Sequence, residues 1–198
     1  MKVQGFMTAM ALAAGLAGLV CICGCASPPQ SPRPGLALPP ASRDAAKLQL
    51  RNNAASLLRD LLDDEKNVSK IFVIKHGGDV KALVELIAAT AEANEHDLFQ
   101  LTNTDADLNL RALDLPPGEK AVRDAIAKSK ERELLFTSGP QFEFNLLLTQ
   151  AEAQNYGWHL AKVAAENSSR PEEVATFTRI GEAMKHLYEQ TVREMRQL

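Results

Sequence analysis

The chain has 198 residues, 45% apolar and 24% charged, which suits one globular domain with appendages and excludes wholesale disorder. A formal net charge of −3 supplies no basic footprint, so no nucleic-acid partner is expected. All three cysteines fall between positions 21 and 25, which leaves the rest of the chain without a disulfide framework or a cysteine-ligated metal.

Residues 1–24 read as an export signal. Lys2 supplies the positive start, and the 18 residues from Phe6 to Cys23 carry no charge. The run ends in Ile22-Cys23-Gly24-Cys25, followed by Ala26 and Ser27. Those four residues resemble the lipobox of bacterial lipoproteins: an aliphatic residue, a small residue just before the cut, then cysteine. The resemblance implies cleavage between Gly24 and Cys25, diacylation of the Cys25 thiol and acylation of the new amine. It also implies a lipid bilayer as partner and the bacterial cell envelope as location. Ala26 is not the aspartate that resembles an inner-membrane retention signal, so the outer membrane, on its periplasmic face, is the expected site. Two alternatives stand beside this reading, an ordinary signal peptide with a cysteine-rich end and an uncleaved anchor helix of near-spanning length.

Residues 25–41 form the second unit, an acylated cysteine and a tether. Six of the sixteen residues from Ala26 to Ala41 are proline, which fixes its own φ and lacks an N–H donor. Such a run belongs to neither helix nor central strand and acts as an extended spacer. Pro29-Gln30-Ser31-Pro32 has PxxP spacing, but in this setting a tether is the simpler reading.

From residue 42 to 198 the pattern is helical. Ser42 is placed to cap a first helix over 43–64, with Ala45, Leu48, Ala54, Ala55, Leu58, Leu61 and Leu62 recurring at helical spacing. Asp63, Asp64 and Glu65 put negative charge at its C-terminal end, which the helix dipole disfavours, so a break is expected there. Ser69 can cap a short segment through Ile71, Phe72, Val73 and Ile74, the one β-prone run, for which a short strand is the lesser alternative, and Gly77-Gly78 ends it. Asp79 opens a second helix to about 103, with Val80, Leu83, Val84, Ile87, Ala91, Leu98 and Leu101 on one face. A polar loop over 103–115 precedes Pro116-Pro117 and a third helix to about 137, through Val122, Ile126 and Leu134. Ser138-Gly139-Pro140 is a stop and restart.

The fourth helix, 141–166, carries two apolar stripes and is expected to be the most buried. Pro171 with Glu172 and Glu173 starts a fifth, whose stripe is Val174, Phe177, Ile180, Met184 and Leu187. Short loops between long amphipathic helices predict an all-α fold, an up-and-down four-helix bundle with an additional N-terminal helix.

Catalytic signatures are few. The sequence holds no GxSxG, HExxH or phosphate-binding loop, and no enzyme activity, cofactor or metal is expected. Glu92 with His96 and Glu182 with His186 stand at i,i+4, a spacing that can share a metal, but both histidines point away from the apolar stripes. The fourth helix interleaves Gln150, Glu152, Gln154, Asn155, His159 and Lys162 with its apolar stripes. Either some of these line a polar pocket within the bundle, or they face water between two neighbours, the simpler reading. Glu152, Gln154, Trp158 and His159 are the candidate binding residues.

The segment from about Ala88 to Leu198 resembles a bacterial family of exported outer-membrane proteins of unknown function. The residues that carry the likeness are Glu95-His96, Leu134-Leu135 leading to Ser138-Gly139, Phe142-Glu143, and His186-Leu187. The resemblance implies a ferritin-like four-helix bundle and brings no known activity. That family's middle histidine falls near Gln154 here and is missing, which weakens a metal site inherited from it. Two functions follow. The first is a non-catalytic envelope lipoprotein that binds an unidentified envelope protein or serves structure. The alternative is a metal-binding or redox bundle of ferritin-like type.

Overall fold

The computed structural model describes residues 40–75, 78–112 and 115–198. The signal segment, Gly24, Cys25 and the proline-rich run up to Pro39 lie outside the described residues. What is described is all-helical, with helices α1 (Pro40–Glu65), α2 (Lys81–Thr104), α3 (Pro117–Phe136), α4 (Gly139–Glu166) and α5 (Pro171–Met195). The β-prone run is not a strand: Val68–Val73 forms a 3-10 helix whose Val68 and Ile71 side chains are buried. A second 3-10 turn, Gly78–Val80, leads into α2.

Helix ends follow local chemistry. Proline occupies the first turn of α3, α4 and α5, where a missing N–H costs no helical hydrogen bond. Glu172 and Glu173 add the negative charge that an N-terminus favours. Gly139 turns the chain from α3 into α4 at φ +58, a left-handed conformation that costs glycine no Cβ clash.

Lys130 and Arg123 of α3 meet Glu152 and Tyr156 of α4, so these two helices run in opposite directions. Helices α4 and α5 form the closest pair, since a Cβ on Gly157 would meet Met184 and one on Gly181 would meet Ala161. Helix α1 lies against both α2 and α4, and α2 also packs on α5. The first helix, expected as an addition to the four, is thus central from Arg51 onward, while α3 is the outlying helix and rests mainly on α4. Three expected stripes are shortened, that of α5 by the exposure of its first residue, Val174. Leu48 is exposed because residues 43–50 all stand out in solvent, beyond the packed part of α1. Val122 is exposed because α3 has little to cover it, and only Ala127 and Leu134 of that helix are buried hydrophobics.

The apolar interior divides in two. One cluster joins Leu58, Leu61 and Leu62 of α1 to Leu98 and Leu101 of α2, Leu160 and Ala164 of α4, and Phe177, Ile180 and Met184 of α5. Leu108 and Leu110 of the α2–α3 loop close its end. The other gathers Val68 and Ile71 with Leu83, Val84 and Ile87 of α2, Leu134 of α3, Phe142, Leu146 and Leu147 of α4, and Leu187 of α5.

Candidate functional site

Between the two apolar clusters the chain places a polar layer. Glu65 is the last residue of α1 and lies between Leu62 of the first cluster and Val68 of the second. Gln150 and Gln154 occupy the matching stretch of α4, between Leu147 and Leu160, one helical turn apart and therefore on one face. All three are buried. The Gln154 amide donates to Glu65 Oε2 at 3.3 Å. Burial, reinforced by the neighbouring Asp64 charge, pushes the Glu65 carboxyl up to about 8, although the Gln150 and Gln154 amides beside it pull the other way. Glu65 is therefore a neutral acid at pH 7, able to donate as well as accept. Neither amide atom of Gln150 has a hydrogen-bond partner among the described residues. A fully buried amide without partners is costly in a folded protein.

The layer continues outward through ions. Lys66 Nζ bridges Asp63 at 2.7 Å and Glu95 Oε2 at 2.6 Å, and hydrogen bonding to both carboxylates raises its pKa. Arg179 of α5 bonds Asp97 at 2.5 Å and approaches Asn94 at 3.4 Å on α2.

A second buried polar group lies near the other end of the first apolar cluster. Arg51 Nη1 donates to Asp105 at 2.7 Å and to Glu173 at 2.9 Å, with all three side chains buried. This ties α1 to the α2–α3 loop and to the first turn of α5. Burial and the adjacent Asp105 carboxyl push Glu173 up, while the neighbouring Glu173 carboxyl, the Asp107 N–H and Arg51 hold Asp105 down. Asn52 and Ser56 bind the loop carbonyls of Asp107 and Asn109 at 2.9 and 3.0 Å, so three positions on α1 secure the same loop.

The four binding residues expected from sequence do not share one site. Gln154 faces the core and Glu65. Glu152 lies on the other side of α4, 3.4 Å from Lys130 of α3. Trp158 is half-buried, with His159 stacked on it at 4.7 Å between ring centroids and Lys185 Nζ 5.4 Å from its centroid. His159 and Lys162 are exposed, as water-facing residues should be, whereas Gln150 and Gln154 are inside. His96 and His186 are also exposed, and His96 meets only Gln100, at 3.3 Å. Among the described residues, no three His, Cys, Asp or Glu side chains assemble in a metal-holding arrangement.

Sequence reasoning missed Glu65, Arg51 and Glu173. Charged residues read as solvated, whether at a helix end like Glu65 and Glu173 or mid-helix like Arg51, and the one signal against that is the Gln150/Gln154 pair at i,i+4 beside the apolar stripe, which needs polar company. No family model, curated protein or solved structure matches the chain.

Proposed function

We propose that this protein is a lipid-anchored bacterial envelope protein, held at the outer membrane and facing the periplasm, whose helical head is a non-catalytic binding or structural module. The observation that carries the reading is the order of parts: Ile22-Cys23-Gly24-Cys25, a proline-rich run, then a helix from Pro40. An attachment point, a spacer and a folded head in that order suit a protein that works at a distance from its anchor. Acyl chains on one cysteine contribute roughly 0.8 kcal/mol per buried CH₂, enough for stable residence when more than one chain is present.

The fold we infer is an up-and-down bundle in which α1, α2, α4 and α5 share the core and α3 is the additional helix. Its buried carboxylates support a structural role, since Glu65 meets glutamine amides and Asp105 and Glu173 share one arginine. Acyl-chain labelling of the full chain in a bacterial host tests the anchor. The expected result is label on the wild type, with Cys25→Ala unlabelled and released from membranes; unchanged membrane retention of Cys25→Ala defeats the reading.

A further inference from the structure

The most exposed large apolar side chains of the head gather at one corner. Val73 is 85% exposed, Ile74 61% and Phe136 86%. They belong to two segments that are physically joined. Lys75 Nζ donates to the carbonyls of Leu135 and Thr137 at 2.7 and 2.8 Å, and lies 5.7 Å from the Phe142 ring centroid. The lysine neutralises the negative end of α3 and leaves the neighbouring Val73, Ile74 and Phe136 outward. Leu135, whose carbonyl Lys75 binds, adds partly exposed apolar surface to the same corner.

This corner is far from the tether. Helix α1 runs 25 residue steps from Pro40 to Glu65, about 38 Å at 1.5 Å per residue, and the corner follows directly after its far end. Between Cys25 and Pro40 lie 15 residue steps. A proline-rich run of that length reaches about 47 Å at roughly 3.1 Å per residue. The tether is therefore long enough for α1 to run back alongside it and bring the far corner down to the bilayer that holds Cys25.

From these two lengths and this exposure we propose that the Val73–Ile74–Phe136 corner inserts into the lipid surface that anchors the chain, a second membrane contact. The proposal rests on the lipoprotein reading above. A protein partner fits the corner less well. Stable interfaces bury roughly 800 Å² on each side, whereas side chains that are more than four-fifths exposed stand clear of any groove that would supply such area. Insertion into lipid needs only a few protruding apolar side chains. An attraction too weak to hold a free head is sufficient here, because the tether keeps the head at an effective concentration in the millimolar range. Lys70 and Arg132 are exposed near the corner, as are Glu133 and, partly, Glu143, so the contact does not depend on anionic lipid.

The test uses the mature acylated protein in phosphatidylcholine vesicles carrying a nitroxide-labelled lipid. An environment-sensitive dye is placed by Ser138→Cys, beside the corner, or by Ser169→Cys, in the loop at the other end. Both serines are exposed. Quenching at 138 several-fold above that at 169, falling to the 169 level when Val73→Ser and Phe136→Ser are added, is the expected result. Equal quenching at the two sites, with acyl mass present on Cys25, overturns this proposal alone. Absence of acyl mass together with loss of vesicle retention overturns the lipoprotein reading and this proposal with it.

Discussion

Gln154 of α4 donates a 3.3 Å hydrogen bond to Glu65, the last residue of α1, across the middle of the core. The bond holds a carboxyl in a place where an ionised one would be poorly solvated. Asp64 adds negative charge beside it, and Lys66, the next residue in the chain, is engaged by Asp63 and Glu95. The native state therefore keeps the Glu65 proton to about pH 8, while an unfolded chain releases it near the ordinary value of 4.5. Between those values the native state binds more protons than the unfolded one, so stability falls as pH rises. Glu65→Gln copies the neutral acid and removes that slope. Denaturant unfolding from pH 5 to pH 8 should show the wild type losing stability and Glu65→Gln losing less, so that the variant is the more stable of the two at pH 8. Parallel curves would mean that Glu65 is ionised in the folded protein.

Arg51 bears a different load. It is the one buried cation that bonds both Asp105 and Glu173, while Arg170 reaches Asp105 only from the exposed side, at 3.8 Å. Removing one partner from such a group leaves charge uncompensated and costs about 3–5 kcal/mol. Arg51→Met keeps most of the volume, so the loss reads the charge. Without the cation the two carboxyls stay folded most easily when protonated, and the unfolded chain releases those protons at lower pH. The destabilisation of Arg51→Met should therefore be larger at pH 8 than at pH 5 in urea titrations. A pH-independent loss would point to packing alone.

Much of the helical framework is legible in the sequence, because it depends on local chemistry. Proline at first turns, Gly139 at a left-handed position and the 3.6-residue recurrence of Leu83, Val84, Ile87 and Ala91 need no tertiary information. The run from Ile71 to Ile74 belongs to a short helical segment and not to the strand that is its lesser alternative by sequence, because β-branched residues suit a strand only when another strand is there to pair with, and none is present among the described residues. The polar layer is illegible for a related reason. Asp63, Asp64 and Glu65 look alike in sequence, and only the approach of α4 decides that Glu65 turns inward. Which helix stands outside also depends on partners. Helix α3 repeats apolar residues much as the others do, yet nine of its twenty residues are charged, a cue to its position that periodicity alone does not weigh.

Two glycines predict opposite outcomes for the same substitution. A Cβ on Gly157 would lie 2.1 Å from Met184 Cε and 2.7 Å from Leu61 Cδ2, both buried ends of packed side chains. Gly157→Ala gains up to about 1 kcal/mol of helix propensity and loses about 1–3 kcal/mol to overpacking, so it should destabilise. Gly118, in the first turn of α3, has nothing within 4 Å of its would-be Cβ, and Gly118→Ala should stabilise by about 0.5–1 kcal/mol. Thermal melts of both variants check the pair. Adding Met184→Ala to Gly157→Ala should cost less than the sum of the two single changes, since they compete for one space.

Helix α3 should be the first to open. Its attachment consists of two buried apolar residues, Ala127 and Leu134, the Lys75 bonds to the carbonyls of Leu135 and Thr137 at its C-terminal end, and a few polar links along one side of α4. Arg123 Nη1 donates to the Tyr156 hydroxyl at 3.2 Å and its guanidinium lies 5.8 Å from that ring's centroid, while Lys130 pairs with Glu152 at 3.4 Å. Partly exposed links of this kind are each worth about 1 kcal/mol or less. Helices α4 and α5, by contrast, bury Phe142, Leu146, Phe177, Ile180 and Met184 almost completely. Local opening follows buried apolar contact, so native-state hydrogen exchange should find α3 amides exchanging through a low-energy opening and α4 and α5 amides only through global unfolding. Glu152→Ala removes the Lys130 link without touching the core. It should speed exchange in α3 several-fold and leave the α5 rates unchanged. Equal protection of α3 and α5 would show that the outlying helix is held as firmly as the core.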